Sequence, residues 1–177
     1  MDRYTVQDLI EKYEKGRRDF RNLDLSRLDF FEVKFQDIDL QGSNLSHADL
    51  SYANFSRANL EGVNLESAQM VCTKLQGARL QNARLKWTNL LRSDCYGATF
   101  YNADLTHANL QMSELRNVDF FKADLSYADL SYCNLKKARF RESNLMSCCL
   151  SRARSANLSG AIIDVTTVLP SGYRPSL

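Results

Sequence analysis

Carboxylates at regular spacing are the first residues in this chain that could do chemistry. Ten aspartates, Asp19, Asp24, Asp29, Asp39, Asp49, Asp94, Asp104, Asp119, Asp124 and Asp129, fall on a single frame of five. Paired carboxylates serve general acid–base catalysis, but the strict frame assigns these to turns repeated by the fold. The two histidines, His47 and His107, lie far apart in the chain. The five cysteines, Cys72, Cys95, Cys133, Cys148 and Cys149, include no C-x-x-C pair. Neither set has a metal-ligand spacing, and an odd cysteine count fits free thiols in a reducing compartment. No dinucleotide, phosphate-loop or nucleophile-elbow motif occurs. These residues therefore predict no enzyme, no metal and no cofactor.

The frame itself is the dominant signal. Every fifth residue from Phe20 to Leu150 is apolar, 27 positions without a polar residue. Counting such a position as i, the residue at i−2 is Ser, Ala, Val, Thr or Cys throughout Ser43–Cys148. Position i−1 is Asp or Asn in 18 of the 27 repeats, so the consensus is Ala-Asp/Asn-Leu-x-x. A helix would scatter a step of five around all its faces, and a strand would alternate it between sides. A chain that bends once per pentad turns i and i−2 inward and i−1, i+1 and i+2 outward. Asp and Asn suit that bend, because they bond nearby backbone and tolerate left-handed geometry.

Residues 20–150 closely resemble the pentapeptide-repeat family. The resemblance implies an all-β solenoid, a right-handed quadrilateral β-helix with four pentapeptides per coil. That gives about seven coils stacked about 4.8 Å apart. A 20-residue coil places Leu25, Leu45, Leu65, Leu85, Leu105, Leu125 and Leu145 in one interior column, and Phe100, Phe120 and Phe140 in another. Gly16-Arg17-Arg18-Asp19-Phe20 resembles the start of members from photosynthetic bacteria, a cyanobacterial type with an N-terminal helical cap.

The ends break the frame. Thr5 and Asp8 have capping-box spacing, Val6, Leu9, Ile10 and Tyr13 have helical spacing, and Gly16 is a stop signal. A capping helix near 6–15 is expected, with residues 1–18 as the cap. Open solenoid ends require such covers. The large i−2 residues Leu23, Leu28, Val33 and Ile38 fit a wider first coil beneath it. The repeat is expected over 19–168, with a bulge or loop at 151–155 and a last imperfect coil at 156–168. A turn-rich tail follows at 169–177.

Function must then lie on the outside. Charge is banded: residues 1–66 carry net −4, 67–93 net +5 with no acid, 94–135 net −4 and 136–177 net +5. Lys74, Arg79, Arg84, Lys86 and Arg92 form a candidate basic belt. It could hold an anion or acidic partner, or merely alternate with acidic neighbours to fix stacking. Trp87, His107 and Tyr127 share one outward column on consecutive coils. Tyr101 and Phe121 neighbour each other, with Tyr96 on the adjacent face. Phe31, Tyr52, Val71, Leu91, Met112 and Tyr132 project from a further face. Such rings are either a protein-contact surface or ladders that stiffen the sheet.

The leading reading is a rigid, non-catalytic protein-binding scaffold with an unidentified protein partner. The resemblance also raises inhibition or protection of DNA gyrase by mimicry of duplex DNA. The chain's net charge of +2 departs from the acidic surface that this requires. Weak nucleic-acid or anion binding through the basic belts is a third reading, opposed by the acidic bands between them. The resemblance allows a homodimer through the C-terminal end. No apolar run reaches membrane-span length, and a bacterial, cytoplasmic location is expected.

Overall fold

The computed structural model describes residues 4–176; residues 1–3 of the expected cap and Leu177 of the expected tail lie outside them. Within the repeat, the five backbone N–H groups of each pentad divide between two kinds of partner. Three donate to the next or previous coil, as in Leu25 N–H to the Asn44 carbonyl (2.7 Å), Arg27 N–H to Ser46 (3.0 Å) and Asn44 N–H to Leu23 (2.8 Å). The fourth closes a β-turn, as Ala48 N–H does on the Leu45 carbonyl (3.1 Å). The fifth, at i+1, has no backbone acceptor and is taken by the side chain at i−1, as Ser51 N–H donates to Asp49 Oδ1 (2.8 Å). That side-chain clasp explains the Asp/Asn preference, since each shortened alternative leaves a donor without a partner in the protein.

The parallel bridges between i−1 residues run in a constant 20-residue register, from Asp19–Asp39 to Asn134–Arg154. Four turns per 20 residues make each coil four-sided. The left-handed residue of the turn is not the Asp/Asn expected from the sequence. It is i+2, where all 27 seats from Asn22 to Arg152 have positive φ, 23 of them non-glycine. Only the third turn residue is left-handed, which is the type II pattern. The i−1 residue is instead extended and bridged, and it clasps the turn through its side chain.

The interior follows from the inward columns. All seven leucines of the Leu25–Leu145 column are fully buried. Phe100, Phe120 and Phe140 stack at 5.2 Å between successive ring centroids. Hydroxyls are admitted at i−2 because a carbonyl of the preceding coil receives them: Thr73 Oγ1 donates to Leu50 (2.8 Å) and Ser113 Oγ to Leu90 (2.7 Å). A buried hydroxyl so satisfied costs little.

Helix α1 spans Val6–Glu14, with Lys15 as its C-cap. Thr5 and Asp8 form a reciprocal capping box. At the other end, Gly16 (φ 93) and Arg17 return N–H bonds to the Tyr13 and Lys12 carbonyls (2.9 and 3.0 Å), a Schellman closure. Leu9 is buried, and Tyr13 packs its ring 5.0 Å from Phe35 while its hydroxyl donates to the Gln36 carbonyl (2.8 Å). Ile38 is fully buried, whereas Leu23, Leu28 and Val33 are partly buried.

The register slips late. Ser151–Arg154 keep the repeat, Arg154 pairing with Asn134, so the break falls at Ser155 and not across 151–155 as expected. Beyond it, Asn144 bridges Ile162 and Cys149 bridges Val168, two and one residues short of the 20-residue step. Asp164 holds this coil. Its Oδ1 accepts from the Thr166 hydroxyl (2.7 Å), the Thr166 and Thr167 N–H groups (3.0 and 3.1 Å) and Ser147 N–H (3.3 Å).

Two predictions follow from this backbone. None of the 27 left-handed seats holds a β-branched residue, for which that conformation is a genuine outlier. Lys137→Val should destabilise by about 1–2 kcal/mol and Lys137→Gly should be neutral or stabilising by up to about 1 kcal/mol. Equal denaturation midpoints would contradict the turn assignment. Hydrogen bonds from Thr166, then backbone N–H groups, lower the Asp164 carboxyl from 3.8 to about 2. Its contribution is complete above the ordinary carboxylate range and drains away as pH falls toward 2. Exchange protection at Val168 N–H should fall between pH 5 and pH 2 before that of the central coils; simultaneous loss would assign Asp164 no special role.

Candidate functional site

The outward positions carry the candidate site, because every inward one is committed to packing. The turn seats set its geometry. Trp87, His107 and Tyr127 all occupy left-handed corners (φ 60–61) on three consecutive coils. Trp87 and His107 stack at 3.8 Å with 8° between ring planes, and His107 and Tyr127 at 4.8 Å and 10°. The next corner along the same side carries Arg92, Met112 and Tyr132. Between these two corners lies one flat face, built from residues 88–91, 108–111 and 128–131. Asn89 and Asn109 run up its middle as a hydrogen-bonded ladder (3.2 Å).

This face gathers columns that the sequence reading kept separate. Of the nine large apolar side chains exposed between Phe20 and Arg154, six stand on or beside it: Phe31, Tyr52, Trp87, Met112, Tyr127 and Tyr132. Phe31 and Tyr52 are in edge contact at 5.5 Å. The signal was available as two i+1/i+2 columns flanking one pentad column, but only the corner geometry shows that they frame a common surface.

The other candidate rings are not part of it. Tyr101 and Phe121 pair at 5.6 Å on a different side, with Lys122 and Arg141 over Phe121 at 5.3 and 5.7 Å. Tyr96 is covered by Arg116 at 5.4 Å. By contrast, among the described residues no cation lies over Trp87, which is 52% exposed overall; its column neighbour on the side opposite His107 is Ser67.

The basic belt is partly neutralised, two of its five cations being paired. Arg79 pairs with Glu61 (3.2 Å) and Arg84 with Glu66 (3.3 Å), both in the preceding coil. Lys74, Lys86 and Arg92 make no ion pair among the described residues. The belt also breaks the local rule of the fold. Gln69, Lys74, Arg79 and Arg84 replace Asp/Asn on four successive faces, so among the described residues no side chain accepts from Val71, Gln76, Gln81 or Lys86 N–H. Sequence reasoning recorded the charges but not this lost coil of clasps.

The three buried thiols, Cys95, Cys133 and Cys148, are not poised as nucleophiles. All five are free. Burial pushes Cys95 and Cys133 up to about 12 and raises Cys148 as well. Among the described residues, no group of three or more His, Cys, Asp or Glu side chains is placed to hold a metal ion. No helix of the described residues is long and apolar enough to cross a membrane.

Trp87 is the sole tryptophan, so its environment can be read directly. His107→Ala uncovers the second indole face, and acrylamide quenching of the fluorescence should rise, roughly twofold. Unchanged quenching would mean that the stack does not persist in solution.

The family described as Pentapeptide repeats matches in eight copies over residues 19–66 and 68–163. No curated protein matches the sequence. Among solved structures, the plasmid-mediated fluoroquinolone resistance protein QnrB1 is 21% identical over 82% of each chain, with a TM-score of 0.55. The pentapeptide repeat protein alr5209 from Nostoc PCC 7120 is 32% identical over 78% of this chain and 98% of its own (TM-score 0.41). HetL, a protein involved in heterocyst differentiation regulation from the cyanobacterium Nostoc sp. strain PCC 7120, is 21% identical over 97% of this chain and 100% of its own (TM-score 0.34). The repeat, the 20-residue register and the family match agree: the chain belongs to the pentapeptide-repeat family, whose members fold as right-handed β-helices.

Proposed function

We propose that this protein is a non-catalytic, rigid protein-binding scaffold, and that the face between the Trp87–His107–Tyr127 corner and the Arg92–Met112–Tyr132 corner is its docking surface. In this reading α1 caps the first coil, residues 19–168 form one rod of about seven coils, and 169–176 close its far end. The observation that carries the reading is the concentration of exposed rings on one flat face, three of them already stacked. Exposed apolar patches mark interaction sites, and pre-ordered Trp and Tyr side chains lose little entropy on binding. Duplex mimicry toward gyrase is the weaker reading, because the coil at the centre of this face is basic.

A pull-down from nuclease-treated native lysate with wild-type protein and a Trp87→Ala/Tyr127→Ala variant tests the scaffold. A partner should be retained by the wild type and weakened at least tenfold in the variant, about 1.4 kcal/mol or more. Identical capture by both would move the ladder to a structural role. Capture of the chain by itself would direct attention to the C-terminal end, where Ile162, Ile163, Val165 and Tyr173 are exposed.

A further inference from the structure

We infer that the occupant of this face is a short acidic polypeptide segment carrying an aromatic or aliphatic side chain; the inference rests on the scaffold reading and specifies its partner. The row that crosses the face in one coil reads Lys86, Trp87, Asn89, Leu91, Arg92. It sets a half-exposed indole and a leucine between two cations that make no ion pair among the described residues. The row lies in the 67–93 band, which has five bases and no acid.

The window is short. Along the i−1 column of the face, Asp49 and Asp129 lie on either side of Gln69, Asn89 and Asn109. Four coil steps separate the two aspartates, about 19 Å at the usual strand spacing. A phosphate backbone following the rod would meet a carboxylate at each end, whereas a segment crossing the coil meets Lys86 and Arg92 in its own row, Glu66 one coil below Lys86 being paired with Arg84. Trp87, stacked on one side only, presents its other face beside the short Ser67 side chain. The turn clasp is abandoned at Gln69, Lys74, Arg79 and Arg84, in the coil that leads into this row; Gln69 stands in the face's own column, the other three stand on the remaining sides, and Asn89 keeps its clasp on Leu91 N–H (3.3 Å). A local rule broken in one whole coil of a regular fold is the signature of a surface shaped for something other than stability.

Fluorescence anisotropy with labelled probes tests this: a random Glu–Tyr copolymer, a Glu homopolymer, a random Lys–Tyr copolymer and duplex DNA. The Glu–Tyr copolymer should bind saturably and more tightly than the other three. Trp87→Ala and Lys86→Gln/Arg92→Gln should each weaken it at least tenfold, while Lys136→Gln/Lys137→Gln stays within twofold. Added salt should weaken it too. All variants change exposed residues, and matching denaturation midpoints will verify that they fold. Equal binding of the Glu homopolymer, or equal loss in the Lys136/Lys137 variant, would reduce the effect to bulk charge and overturn the inference. Tighter binding of DNA would overturn it in favour of nucleic acid. Preference for the Lys–Tyr copolymer would overturn it while leaving the docking face intact. Absence of binding to any probe would also overturn it, and the lysate comparison would still decide the scaffold reading separately.

Discussion

Everything in this structure depends on three backbone N–H groups per pentad reaching the neighbouring coil. That requirement forces a corner every five residues and puts i+2 into left-handed geometry at each one. It leaves the i+1 N–H as the one donor without a backbone acceptor. The side chain at i−1 then becomes the only local means of satisfying it, and the Asp/Asn frequency follows. The interior obeys the same constraint. With the coil held at four sides, small groups fill i−2 beyond the first coil, and a hydroxyl there finds a carbonyl one coil away, as at Thr73, Thr88 and Ser113, or in its own turn, as at Ser143.

Much of this was legible in the residues. The five-residue step, the small i−2 residues and the Leu and Phe columns specify the coil, and Thr5, Asp8 and Gly16 bound α1 to within a residue. The conformation of the corner was misassigned. Asn and Asp tolerate positive φ, but here their side-chain oxygen is worth more as an acceptor, and the strain falls on i+2. The evidence was present as an absence, since no Val, Ile or Thr occurs at i+2. The slip near the C-terminus was placed a few residues early because Ser151–Arg154 have no distinctive composition. Their pairing with the coil around Asn134 is visible only in space.

The exterior was less legible for a physical reason. Outward side chains are not selected by packing, so their columns carry no redundancy from which errors can be corrected. Trp87, His107 and Tyr127 could be aligned from the 20-residue period and set apart from Tyr96, Tyr101 and Phe121, but that their column and the Met112–Tyr132 column frame one face emerged only from the corners. The charge of the belt was countable, whereas its partial neutralisation by Glu61 and Glu66 was not. Separation of inward and outward duties is also what makes the fold a useful scaffold: the face can vary while the coil holds its shape.

The central claim is that the basic coil exists for binding and at some cost to stability. Restoring the repeat consensus there, with Gln69→Asn, Lys74→Asp, Arg79→Asn and Arg84→Asn together, tests it most directly by denaturant unfolding. The exposed ion pairs lost are each worth little, about 0–1 kcal/mol, while each restored clasp contributes about 0.5–1.5 kcal/mol. The account predicts a higher unfolding midpoint with the fold retained. A lower midpoint would mean that the basic residues are there to hold neighbouring coils in register, and the functional reading of the belt would fall.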